Sequence, residues 1–114
     1  METFQHTVKD GTVLHCYRWA PQIEPRATIY LAHGMGEHAG RYDWTATKLA
    51  EQGYLVIAND HRGHGDTAKT LGDFGTDGWN RMIDDMYQMM ASYSTEKKPK
   101  ILMGHSMGAM LSQQ

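Results

Sequence analysis

Lys100-Ile101-Leu102-Met103-Gly104-His105-Ser106-Met107-Gly108 decides how this chain of 114 residues is read. Behind Pro99, a run of apolar residues reads as a strand covered on both faces, and the Gly-x-Ser-x-Gly that follows it turns into a helix. A serine hydroxyl is a weak nucleophile and must stand in the open where a base can reach it. A sharp strand-to-helix turn achieves this. The turn is so tight that Gly104 and Gly108 are required where a β-carbon would strike the neighbouring strand or helix. The helix start adds free backbone N–H groups and the positive end of a dipole where an oxyanion would form. Ser106 is thus the candidate nucleophile, and the amide of Met107 the first candidate oxyanion donor. The bland alternative for such a pattern is a serine N-cap in a glycine-rich turn. A strand before it and a helix after it favour the nucleophile.

Working back along the chain, Tyr54-Leu55-Val56-Ile57-Ala58 and Ala27-Thr28-Ile29-Tyr30-Leu31-Ala32 are two further apolar strands. The earlier one runs into His33-Gly34-Met35-Gly36, the loop position that holds the second backbone donor in such a site; that donor is Met35. Tyr42 to Gln52 has helical spacing and a stop at Gly53. His61 to Gly78 is polar and glycine-rich. Trp79, Met82, Ile83, Met86, Met89 and Met90 then form the apolar face of a longer helix, in which methionine is core filling. Ahead of all this, Thr3–Val8 and Thr12–Trp19 flank Asp10-Gly11 as a hairpin. Hairpin, then strand–helix alternation, predicts an α/β class: parallel strands with helices on both faces and an antiparallel hairpin at one edge.

Composition sets bounds. With 40% apolar and 21% charged residues and a net charge of −2, the chain is an ordinary globular sequence with no pull toward nucleic acid. Lys97-Lys98-Pro99-Lys100 reads as a solvated connection. Cys16 is the single cysteine, so no intrachain disulfide can form. No apolar stretch approaches the ~20 residues of a membrane span, and the N-terminus lacks a secretory pattern, so a cytoplasmic location is the default expectation.

Two rival chemistries fit parts of the chain. Gly34-x-Gly36-x-x-Ala39 matches the looser dinucleotide fingerprint, and Asp60 ends the next strand 24 residues after Gly36, where a ribose-binding acid for NAD would stand. Against it, Glu37 sets a carboxylate beside the pyrophosphate, and a hairpin precedes the unit. His61 and His64 stand between Asp60 and Asp66, with His33 and His38 upstream. These are the right residue types for zinc, but the interleaved glycines and arginine suggest a loop folded by its own hydrogen bonds. No metal and no cofactor are expected.

Together, Gly34-x-Gly36-Glu37-His38-x-x-Arg41-Tyr42, Asp60-His61-Arg62-Gly63-His64-Gly65 and Gly104-His105-Ser106-Met107-Gly108 resemble the monoacylglycerol lipase and lysophospholipase group of α/β-hydrolases. The resemblance implies an α/β-hydrolase fold and hydrolysis of carboxylic esters of monoacylglycerol or lysophospholipid type through an acyl-enzyme on Ser106. It also implies a triad whose acid and histidine follow the serine, and a lid that binds the acyl chain and allows transient contact with a membrane surface. The sequence stops eight residues after Ser106, in what reads as a helix in progress. The expectation is therefore the N-terminal half of a single α/β-hydrolase domain over residues 1–114, with lid and C-terminal half absent and the chain itself inactive. Asp60 and His105 are poor stand-ins for the missing partners, because the order in this architecture is serine, acid, histidine.

Overall fold

In the computed structural model, which describes residues 1–94 and 97–114, five strands form one sheet. They are β1 (Glu2–Thr7), β2 (Val13–Trp19), β3 (Ala27–Ala32), β4 (Tyr54–Asn59) and β5 (Lys100–Gly104). Three α-helices accompany them: α1 (Asp43–Glu51), α2 (Gly78–Tyr93) and α3 (Met107–Ser112). Short 3-10 turns occupy Ala39–Tyr42 and Gly65–Thr67.

The sheet order is β1-β2-β4-β3-β5. The hairpin lies at one edge, with Phe4 opposite Cys16, and β2 runs antiparallel to β4. The remaining pairs are parallel, Ile29 lying opposite Val56 and Ile101. Crossover from β3 to β4 through α1, and from β4 to β5 through α2, places β3 in the centre of the parallel part. Its six residues are all buried.

Helices cover both faces, as the alternation predicts. One face sets Leu14, Cys16, Tyr30, Ala32, Leu55 and Ile57 against Met82, Met86 and Met89 of α2 and Met107 and Leu111 of α3. The other sets Tyr17, Trp19, Ile29, Leu31, Val56 and Ala58 against Ala39 and Ala46. Side chains alternate along a strand, so both faces of β3 and β4 must be apolar for this to work.

Two expectations need correction. Trp79 lies off the buried face of α2, 38% exposed, because it sits in the first turn, right after Gly78 begins the helix, whereas the buried methionines lie further along. Asp85 takes a buried place instead. In addition, β5 is not covered on both sides: Ile101, Leu102 and Met103 are 37–43% exposed. Among the described residues it pairs only with β3, so its apolar character outruns its burial. No helix among the described residues is long and apolar enough to cross a membrane.

Candidate active site

Strand β5 ends at Gly104, and two residues later Ser106 adopts φ 55° and ψ −118°. Non-glycine residues rarely tolerate a positive φ, and holding one there costs of order 1–3 kcal/mol. Surrounding contacts fix the turn. The His105 N–H donates to the Ala32 carbonyl at 3.1 Å, the Gly108 N–H to the His105 carbonyl at 2.9 Å, and the Met110 N–H to the Ser106 carbonyl at 3.1 Å. A β-carbon on Gly104 would lie 2.7 Å from the Ala109 backbone, and one on Gly108 would lie 2.1 Å from the Ala32 carbonyl oxygen. Both glycines are therefore demanded by close approach, as the sequence argument requires. Ser106 is exposed, and its hydroxyl makes no cap bond to the helix it precedes. The N-cap alternative loses its defining contact.

The loop after β3 lies against this turn. Gly34 packs so closely that its missing β-carbon would meet Glu37 Oε2 at 2.9 Å and the His105 carbonyl at 3.3 Å. Glu37 organises the neighbourhood. Its Oε2 accepts from the Gly34 N–H and from the Tyr42 hydroxyl, each at 2.5 Å, and stands 3.3 Å from His105 Nδ1. Burial raises the carboxyl's pKa, but bonds from Tyr42, Gly34 and His105 outweigh it and hold Glu37 below the usual carboxylate range. Burial and the same contact push the Tyr42 hydroxyl up to about 12. On the other side of Gly34, His33 Nδ1 lies 2.6 Å from its carbonyl oxygen. The amides of Met35 and Met107 have no acceptor among the described residues. Met35 also borders a cleft of about 580 Å³ whose lining includes Leu71 and Phe74.

Asp60 is committed elsewhere. Its carboxylate is buried and accepts from the Ala39 amide at 2.8 Å, the Tyr17 hydroxyl at 3.0 Å and the Asp66 amide at 2.9 Å. These bonds join three segments around the loop after β4. They leave Asp60 unsuited to act as triad acid or ribose ligand. The pyrophosphate position of a dinucleotide is compromised too, since the Gly34 amide already donates to Glu37.

Three of the histidines gather, but not as a set of metal ligands. Rings of His33 and His61 lie 4.2 Å apart, and those of His33 and His64 5.1 Å apart. His33 uses both nitrogens internally, however, and His64 Nδ1 faces the Arg62 carbonyl at 2.9 Å. His38 is exposed and outside the cluster. The carboxylates Asp60 and Asp66 do approach His15, which the sequence reading passed over, with ligand atoms within 4.8 Å of one another. His15 belongs to β2, an arm of the hairpin, and the Asp60 oxygens there already accept three donors.

Sequence reasoning missed two further groups. Arg62 meets Asp85 through two bonds of 2.7 and 2.9 Å and Asp10 through two of 2.7 and 3.0 Å. The pair with Asp85 is buried, at 11% and 2% side-chain exposure. It ties the loop after β4 to α2 and to the hairpin turn. Burial raises the Asp85 pKa in spite of the guanidinium beside it. The signal was present: Asp85 falls on the methionine face, three residues after Met82 and one before Met86. The other miss is Glu37, whose role required knowing that Gly34 and Tyr42 converge on it.

Comparison with known proteins places these contacts in context. A family model described as Serine aminopeptidase, S33 (Hydrolase_4) matches residues 23–114. Rat monoglyceride lipase is 37% identical over 108 residues, covering 90% of this chain and 34% of that protein. A monoglyceride lipase homologue of monkeypox virus is 35% identical over 108 residues, covering 90% of this chain and 37% of its own. A structure titled as a lipase in its open form superposes with a TM-score of 0.87 at 30% identity, covering 98% of this chain and 38% of that one. A thermostable carboxyl esterase from Bacillus coagulans, solved in complex with glycerol, gives the same score at 31% identity, over 98% of this chain and 38% of its own. The five-stranded sheet is thus the α/β-hydrolase arrangement, and the chain spans roughly a third of the length of the relatives it matches.

Proposed function

The chain belongs to the Serine aminopeptidase, S33 family of hydrolases, and from that premise we propose that it forms the nucleophile and oxyanion side of a serine esterase acting on monoacylglycerol- or lysophospholipid-type esters. The observation that carries this reading is Ser106 itself: an exposed hydroxyl held at φ 55° with no cap bond to the helix that would explain the strain. Strain of this kind, kept by the backbone bonds and close approaches around the turn, marks a position fixed by where its side chain must stand.

In the proposed reaction the Ser106 oxygen attacks the ester carbonyl while its proton passes to a histidine base. The carbonyl oxygen becomes an oxyanion and accepts from the Met35 and Met107 N–H groups. Each such donor is worth roughly 3–4 kcal/mol of barrier. The intermediate expels the alcohol, and water then hydrolyses the acyl-serine by the same route in reverse. His105, turned toward Glu37, and Asp60, held by three donors, are not placed to act as base and acid. Those roles are assigned to residues that follow the nucleophile in sequence, as the resemblance implies.

Names of the relatives favour an ester over a peptide, although the family's description keeps an amide substrate as the second reading. The test uses p-nitrophenyl esters, 1-monoacylglycerol, a lysophospholipid and an aminoacyl p-nitroanilide, on residues 1–114 and on the complete reading frame containing them. Ester turnover by the complete frame, abolished by Ser106→Ala, is expected. The 114-residue chain should fall short by on the order of 10⁶, the usual loss when a triad lacks its base. Anilide turnover without ester turnover would replace the ester reading by the amide one. Ester turnover that survives Ser106→Ala would remove the nucleophile.

A further inference from the structure

One ring beside the turn has both its nitrogens committed to backbone groups. His33 is fully buried at the end of β3. Its Nε2 accepts from the His61 N–H at 2.9 Å. A backbone N–H can only donate, so Nε2 must present a lone pair, and the neutral ring then carries its hydrogen on Nδ1. That Nδ1–H points at the Gly34 carbonyl oxygen, 2.6 Å away.

We propose that His33 is a positioning residue for the oxyanion hole, a role that rests on the serine esterase reading above. In a trans peptide the carbonyl and the N–H of the following residue point in opposite directions, and no peptide among the described residues is cis. Drawing the Gly34 oxygen inward to the His33 ring therefore turns the Met35 N–H outward, to the open side where it has no acceptor among the described residues. The same glycine is held at its other end, its N–H donating to Glu37. Gly34 has no side chain to resist rotation, so without these two bonds the Gly34–Met35 peptide could flip and the donor would face the protein. The His61 amide, from the loop after β4, thus sets the tautomer of a ring on the loop after β3, and that ring aims the donor.

The clamp acts only with a neutral ring. Protonation would put a second N–H at Nε2 against the His61 N–H. The titratable groups facing the ring are His61 and His64, with Asp60 and Glu37 further off. Burial lowers the His33 pKa, and His64 adds to the effect, which keeps the neutral form in place.

The tautomer is read directly by long-range ¹H–¹⁵N spectra of the ¹⁵N-histidine-labelled chain. His33 should show an Nδ1–H tautomer at pH 7.5. An Nε2–H tautomer or an imidazolium signal there would overturn the clamp. On the complete reading frame, rates are normalised to the number of sites titrated by a fluorophosphonate, so that misfolded protein is not counted. His33→Leu should then lower kcat by roughly 10- to 100-fold with KM changed less than about twofold, somewhat less than the full loss of an oxyanion donor. His33→Asn, whose side-chain amide can take the place of Nδ1–H, should recover most of that loss. Per-site kcat unchanged in His33→Leu, with Ser106→Ala inactive, would sink the clamp alone. Activity persisting in Ser106→Ala would sink the nucleophile and the clamp together.

Discussion

Replacing Ser106 by glycine should make this chain more stable, and by an amount the backbone sets. Ser106 sits at φ 55° and ψ −118°, a conformation that an L-residue holds at a cost of order 1–3 kcal/mol. Glycine adopts it freely but gains entropy in the unfolded chain, which removes about 0.5–1 kcal/mol. Taking the middle of each range, the difference is a net stabilisation of about 1 kcal/mol over Ser106→Ala, which keeps the β-carbon and the strain. Alanine is the proper reference because the hydroxyl is lost in both, and that hydroxyl makes no cap bond. For a chain near 100 residues the gain corresponds to about 2–8 °C in Tm. Thermal and urea unfolding of both variants, followed by circular dichroism, read it out. Ser106→Gly no more stable than Ser106→Ala would mean that the turn is relaxed, and the inference from strain to nucleophile would fail with it.

Three further outcomes follow from the same contacts. Gly108→Ala would set a β-carbon 2.1 Å from the Ala32 carbonyl oxygen and 2.6 Å from that of His33, both backbone atoms that cannot step aside. It should cost about 1–3 kcal/mol in urea unfolding and, by displacing the turn about 1 Å, lower ester turnover of the complete reading frame by ~100-fold; a variant matching the parent in both would show that the approach is looser than described. Burial pushes His61 down to about 3, so its folded pKa lies below its unfolded value near 6.5 and the unfolded chain binds the proton first. Stability is therefore complete above pH 6.5 and should drop by about 2 kcal/mol between pH 7 and pH 5, with His33 acting in the same direction. A urea midpoint unchanged between those two values would contradict the buried neutral ring. Arg62→Met strands Asp85, which is 2% exposed, and should cost roughly 3–5 kcal/mol by chemical denaturation, against under 1 kcal/mol for an exposed pair such as Lys48 with Glu51.

The sheet was legible because the strands of an α/β fold announce themselves twice, by unbroken apolar runs and by the glycine turns that end them. β3 and β4 are buried along nearly their whole length, and their order follows from the helices between them. The turn at Ser106 was legible for a related reason: only a collision explains glycine on both sides of a serine, and the backbone distances at Gly104 and Gly108 supply it. What was not legible depends on through-space meeting of residues distant in sequence. Asp60 ends a strand where a dinucleotide's ribose acid would stand, and nothing in its neighbours says that Tyr17 and Ala39 will close on it. Likewise, His33, His61 and His64 have metal-ligand chemistry in sequence, yet the ring of His33 turns to its own backbone. An apolar run reports a strand's preference and not its partner, so β5 reads as covered on both faces although Ile101, Leu102 and Met103 are partly exposed, while its open edge follows from the order of the sheet.

A crystal structure of the complete reading frame after reaction with an alkyl fluorophosphonate tests the central claim most directly. The account predicts a phosphorus–oxygen bond to Ser106, with the phosphoryl oxygen 2.7–3.1 Å from both the Met35 and Met107 nitrogens. An adduct on another residue, or a phosphoryl oxygen turned away from either amide, would contradict it.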